Sequence, residues 1–171
     1  MANSMSFYLT NNSGKVLAAM EEQILRALER CGLQAESYAK DLAPGANNSV
    51  GSTTGNLRNS ITHIVIEYEK AVYIGTNVHY AVYHELGTGS YAVDGNGRPG
   101  WWVYVPGSTE TRDGEKKIYT KQEAYRIMMF LRSQGIDAHM TNGIKPRPFI
   151  KPALADHMQT YRNIFEDELK G

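Results

Sequence analysis

The sequence predicts an α+β protein in which a small antiparallel sheet is packed by a long N-terminal helix and a C-terminal helix. Three observations predict this fold: amphipathic stretches at residues 14–42 and 149–169, and a β-branched hairpin pattern at residues 61–75. A length of 171 residues, with 42% hydrophobic and 21% charged residues, is typical of one globular domain. We therefore expect residues 1–171 to share one core.

The first stretch predicts one long helix that ends at Pro44. Apolar residues recur three or four positions apart, which places them on one helical face. Gly32 lies within this helix and is expected to bend it. Cys31, the only cysteine, lies on the apolar face and is expected to be buried rather than nucleophilic. The apolar positions are Val16, Leu17, Met20, Ile24, Leu28, Cys31, Ala35, Tyr38, Ala39 and Leu42.

The hairpin is expected to follow a short turn at residues 57–59 that is capped by Thr54. Partial alternation of β-branched residues predicts strands at 61–69 and 71–75, joined at Glu69-Lys70. A short helix is expected at residues 78–86. Gly87 then ends that helix, because glycine tolerates the left-handed conformation.

An inserted region at residues 90–142 is expected to add further strands and one more helix. The pattern predicts strands at 101–105 and 116–120, a helix at 121–133 and a short extended segment at 136–140. Thr120 and Glu123 have the spacing of a capping box for that helix. Pro146 and Pro148 predict an extended link into the last helix.

The charge balance argues against generic nucleic-acid binding, and the pattern of residues 1–10 argues against a signal peptide or a membrane span. The 18 basic residues balance the 18 acidic ones, so no overall basic field would draw the chain onto nucleic acid. The overall charge balance does not exclude DNA contact through a local basic cluster, which consists of Lys145, Arg147 and Lys151. A module that contacts DNA through this cluster is therefore an alternative. Residues 1–10 have no basic n-region or apolar span, which predicts a chain made in the cytoplasm and not in a membrane.

Candidate chemical motifs are incomplete. Residues 95–100 match the spacing of a dinucleotide-binding glycine loop, but they lead into Trp101 rather than opening a helix, so no cofactor is predicted. His84 and Glu85 resemble the start of a zinc-protease motif, yet Thr88 stands where the second histidine belongs. A metal-dependent hydrolase using His79, His84 and Glu85 stays an alternative, although no catalytic or metal-binding residue is predicted.

Two short motifs and one turn carry a resemblance to a known family. Residues 78–89 read Val-His-Tyr-Ala-Val-Tyr-His-Glu-Leu-Gly-Thr-Gly, and residues 143–154 read Gly-Ile-Lys-Pro-Arg-Pro-Phe-Ile-Lys-Pro-Ala-Leu. With the Thr-Gly-x-Leu-Arg-x-Ser-Ile turn at 54–61, their order resembles the tail-component or neck proteins of lambdoid-type long-tailed bacteriophages. The family-motif residues are Tyr80, Ala81, Glu85, Gly87, Thr88, Gly89, Pro146, Arg147, Pro148, Phe149 and Pro152.

The resemblance covers nearly the whole chain and implies a structural virion protein with no catalytic residues. It implies a role in head–tail joining, neck formation or tail completion through a homo-oligomeric ring that contacts neighbouring neck, connector or tail proteins. Contact with DNA would be confined to the neck lumen. The motifs are expected to define the fold or to contact other subunits. The region 90–142 departs from the family by its greater length.

Overall fold

The structure is a computed structural model that describes residues 10–44, 55–107 and 118–170. It confirms the predicted α+β class: helices pack on small antiparallel sheets, with a long helix at the N-terminal side and helices at the C-terminal side. The predicted loop at 45–54, Thr54 and the polar turn at 108–117 lie outside the described residues. Gly55 occupies the position before the short helix α2 (Asn56–Ser60).

Helix α1 (Ser13–Leu42) and the C-terminal helices α5 (Ile150–Ala155) and α6 (Met158–Lys170) form the helical side of the molecule. Helix α6 runs antiparallel to α1, because His157 stacks on Tyr38 while Glu168 pairs with Arg30 at 2.6 Å. Cys31 is buried in this interface, as predicted. The single last helix that we predicted is instead divided at residues 156–157.

The hairpin consists of β1 (Ile61–Ile66) and β2 (Ala71–Thr76), joined by a 3-10 turn at Glu67–Glu69 and by Lys70, which has a φ of 51°. The register places Ile61 opposite Thr76 and Ile66 opposite Ala71. One face of the hairpin packs on α1, and Ile64 and Tyr73 on the other face are more than half exposed. The predicted hairpin is confirmed, with a longer turn.

The core lies where α1, the start of β1, the short helix α3 (Ala81–Leu86) and α5 meet. Its buried members are mostly small, and Phe149 is the largest of them. Because most of these buried side chains are alanines, the helices and the hairpin approach closely around the ring of Phe149. The buried residues of this cluster are Ala39, Ala43, Leu57, Ile61, Ala81, Phe149 and Ala153.

The inserted region contains a second small sheet, β3 (Trp102–Tyr104) with β4 (His139–Thr141), which is packed by α4 (Lys121–Ser133). The capping box is confirmed: the Glu123 amide donates to Thr120 Oγ1, and a Glu123 carboxylate oxygen accepts from the Thr120 amide. The strand predicted at 116–120 is wrong for its described part, where Tyr119 forms only an isolated bridge with Trp101.

Gly32 allows the hairpin to approach α1 closely. The helix continues through Gly32 from Ser13 to Leu42, and the structure gives Gly32 a packing role. A Cβ atom at Gly32 would lie 2.3 Å from His63 Cδ2 and 2.9 Å from Val72 Cγ2. Only a residue without a side chain fits between this helix and this sheet.

We predict that Gly32→Ala destabilises the protein by roughly 1–3 kcal/mol, because the added methyl group overpacks the contact with His63. The matched control is Gly14→Ala in the same helix, where a Cβ would meet nothing within 4 Å. Helix propensity alone favours alanine by about 1 kcal/mol, so the control should be neutral or stabilising. Equal urea midpoints for the two variants would contradict the packing argument.

Candidate functional site

The two family motifs, far apart in the chain, lie against each other in the fold. The Thr88 amide donates to the Ile144 carbonyl at 2.9 Å, and the Ile144 amide donates to Thr88 Oγ1 at 2.9 Å. The Arg147 amide donates to the His84 carbonyl at 2.6 Å. We call this contact between residues 80–89 and 142–154 the motif junction.

Glu85 is the centre of the motif junction. Its carboxylate accepts hydrogen bonds from the amides of Phe149 at 2.7 Å, Ile150 at 3.1 Å and Lys151 at 2.9 Å. The first amides of a helix have no partner within the helix, and the helix dipole favours a negative charge there. Pro152 has no N–H group, so Glu85 and Pro152 together account for the four unpaired donor positions at the start of α5.

Glycines make the backbone-to-backbone contact possible. Gly87 and Gly89 have φ angles of 71° and 62°, which residues with a side chain rarely adopt. A Cβ at Gly89 would lie 2.3 Å from the Asn142 carbonyl oxygen, and one at Gly143 would lie 2.0 Å from the Thr88 carbonyl oxygen. Three glycines therefore permit the close approach of the two motifs.

Apolar motif residues connect the motif junction to the core. Ala81 is buried, Phe149 is fully buried, and Tyr80 packs against the same cluster. Tyr80 and Ala81 therefore face the core beside the hairpin. Pro146 and Pro148 lie in the extended segment that precedes α5, as predicted.

The histidines of the motif do not converge with Glu85 on a common point. Tyr80 lies between His79 and His84, with ring centroids 5.9 and 6.0 Å away. The His84 Nδ1 atom is buried without a hydrogen-bond partner among the described residues. Burial, followed by the charge of Arg147, lowers the pKa of His84. In the part of the chain that the structure describes, no three histidine, cysteine, aspartate or glutamate side chains are placed so that they could hold a metal ion.

The basic residues Lys145, Arg147 and Lys151 are all exposed. The Lys145 ammonium group lies 5.6 Å from the centroid of the Tyr91 ring, a cation–π contact. The main-chain amides of Arg147 and Lys151 donate hydrogen bonds to the first motif.

Sequence reasoning missed the partners of two motif residues. It did not assign Glu85 to the start of α5, and it did not single out Gly143, although an Asn-Gly pair is a turn signal. It also missed the ion-pair cluster formed by His63, Glu29 and Glu36. A histidine that alternates with Ile61 and Val65 on the inner face of a strand was the available signal for that cluster.

Comparisons of the chain with protein-family models, curated proteins and solved structures find no match. The resemblance to phage neck proteins therefore rests on the motif residues themselves. Within residues 10–44, 55–107 and 118–170, no helix has the length and apolar character needed to cross a membrane.

We predict that Glu85→Ala destabilises the protein by roughly 2 kcal/mol, because three amides lose a charged acceptor at the start of α5. Glu85→Gln should fall between this variant and wild type, since the amide retains one acceptor oxygen. Glu166→Ala is the control: Glu166 forms only an exposed pair with Lys170, worth at most about 0.5 kcal/mol. Chemical denaturation measures all three, and equal stabilities would refute the capping role.

We predict that Gly89→Ala destabilises the protein more than Gly95→Ala. Both glycines have a positive φ, so each substitution introduces backbone strain of about 1–2 kcal/mol. A Cβ at Gly89 also collides with the Asn142 carbonyl, whereas one at Gly95 meets nothing within 4 Å. The difference in unfolding free energy isolates the close approach at the motif junction, and a difference near zero would contradict it.

Proposed function

We propose that this protein is a structural virion subunit of a tailed bacteriophage or prophage. In this proposal it joins head to tail, forms the neck or completes the tail, as a ring that contacts neighbouring neck and tail proteins. It would be assembled in the host cytoplasm and act at the head–tail junction or tail. The observation that carries the proposal is the motif junction, because the two motifs of the resemblance form one unit through Glu85.

The chemistry of the motif junction favours a structural role over a catalytic one. The oxygens of Glu85 accept three main-chain hydrogen bonds, and Gly87 and Gly89 serve the backbone packing. Residues used in this way stabilise a fold and present no group to a substrate. The support for a non-enzymatic subunit is thus the use of Glu85, Gly87 and Gly89 in contacts with the main chain.

The hairpin supports the expectation of self-association. Among the described residues, β1 pairs only with β2, so the outer edge of each strand presents unpaired main-chain groups. Ile64 is 59% exposed and Tyr68 at the turn is 86% exposed. Head-to-tail contacts between such surfaces close into a ring when the rotation between subunits permits.

The N-terminal part of α1 offers a further apolar surface. The side chains of residues 13–22 are all exposed, although the helix begins at Ser13. Val16, Leu17 and Met20 continue the apolar face that is buried from Ala27 onwards. A neighbouring subunit in the ring would remove this surface from water.

Deletion of the gene in the phage or prophage that encodes it tests the proposal. We expect tailless heads beside free tails in electron micrographs of the lysate, with infectivity restored by the wild-type gene supplied in trans. Complete, infectious particles from the deletion strain would refute the proposal.

We predict that Ile64→Lys, tested in the same complementation assay, fails to restore infectivity while remaining folded, because the lysine charges an exposed face of the hairpin. Leu33→Lys is the control, since Leu33 is 55% exposed on α1 and lies opposite the apolar stripe. Circular dichroism checks the folding of both variants. If the two variants restore infectivity equally, the hairpin is not part of the proposed subunit contact.

A further inference from the structure

The side chain of His63 lies at the centre of the contact between the hairpin and α1. It is 10% exposed, and its ring lies over Gly32. Its Nδ1 atom is 2.6 Å from a carboxylate oxygen of Glu36, and its Nε2 atom is 3.3 Å from one of Glu29. Both glutamates belong to α1, so one helix holds the ring from two sides.

Hydrogen-bond chemistry determines the protonation of this ring. An ionised carboxylate only accepts hydrogen bonds, so a ring nitrogen facing it must carry a hydrogen. A neutral imidazole has one N–H group, and only the imidazolium has two. We propose that the folded protein holds His63 as an imidazolium, and that this proton latches the hairpin onto α1.

Lys40 and water are the other neighbours of the two carboxylates. The second oxygen of Glu36 is 2.5 Å from the ammonium group of Lys40, and Glu29 is half exposed to water. The hairpin adds no further titratable group on the face that packs on α1. Its other residues on that face are Ile61, Val65, Val72, Ile74 and Thr76. The charges that face the ring are therefore Glu29, Glu36 and, beyond Glu36, Lys40.

The pKa directions agree with this geometry. Burial alone lowers the pKa of His63, but the hydrogen bonds and charges of Glu36 and Glu29 together raise it above 6.5. The hydrogen bond from Lys40, assisted by that from His63, holds the pKa of Glu36 below 4.5 although burial opposes it. Each partner thus stabilises the charged form of the other.

Linkage gives the direction of the pH dependence. The folded state binds the His63 proton more tightly than the unfolded state, so its stabilisation is complete below pH 6.5. It is lost as the pH rises from 6.5 through the raised pKa. The contribution of Glu36 is lost as the pH falls from 4.5 through its lowered pKa. The latch is therefore strongest between these two ordinary values.

The hairpin depends on this contact more than a strand of a large sheet would. A two-stranded hairpin is marginally stable by itself, and here its outer face is exposed. When His63 loses its proton, Glu29 or Glu36 loses its donor within the interface. The hairpin then opens from α1 more often. This inference stands whether or not the proposed viral role is correct.

The same three side chains do not form a metal site. The two carboxylates bind opposite nitrogens of the ring and so lie on opposite sides of it. A metal ligand set requires its donor atoms to converge on one point.

Nuclear magnetic resonance of the ring nitrogens tests the latch directly. In the full-length protein we expect the titration midpoint of His63 to lie above 6.5, with imidazolium shifts for both ring nitrogens below that midpoint. His63→Gln identifies the resonances. In Glu36→Gln the midpoint should fall towards the ordinary value, whereas Glu22→Gln should leave it unchanged because Glu22 pairs with Arg26. A His63 midpoint at or below 6.5 in the folded wild type would overturn the proposal.

Hydrogen exchange tests the consequence for the hairpin. The amide protection of residues 61–76, corrected for intrinsic exchange rates, should fall as the pH rises past the titration midpoint of His63. The total fall should be about tenfold for each pH unit by which that midpoint exceeds 6.5. Folded Glu36→Gln should show lower protection and a weaker pH dependence. If the protection of the wild-type hairpin does not change across the His63 titration, the latch is overturned, even if the midpoint of His63 lies above 6.5.

Discussion

The contact between the Glu85 carboxylate and the start of α5 is the interaction on which the arrangement of this molecule depends. It joins α3 to α5 across 64 residues of sequence. It also places Phe149, whose amide is one of the three donors, in the centre of the core. Without a negative charge at this point, the start of α5 would present unpaired amides to a partly buried environment. The two ends of the region 90–142 are held together beside this contact, where the Ser90 amide donates to the Asn142 carbonyl.

The second constraint is the approach of the hairpin to α1, and it combines a missing side chain with a charge cluster. Gly32 provides the space, and His63 fills that space with a ring whose two nitrogens face Glu29 and Glu36. A buried charged group is costly unless it is paired. Close packing and protonation are consequently properties of one contact.

Much of the fold could be predicted from the sequence because its signals are local. Spacing of apolar residues predicted α1 within one residue of its start, and the capping box at Thr120 predicted α4. Where the signal was weak, the prediction was wrong: residues 118–120 form a single bridge, and α5 and α6 are separate. The candidate site was predicted as two motifs, without the contact that joins them.

The sequence by itself determined the class of fold, the position of the main helices and the residues that make up the two motifs. Periodicity, caps and turns depend on residues within one or two helical turns, which are visible in the order of the chain. Only the tertiary structure decided that Glu85 caps α5 and that His63 lies between two glutamates. These partners are 64 and 27 or more residues apart, and sequence spacing carries no information about which distant charges the folded chain brings together.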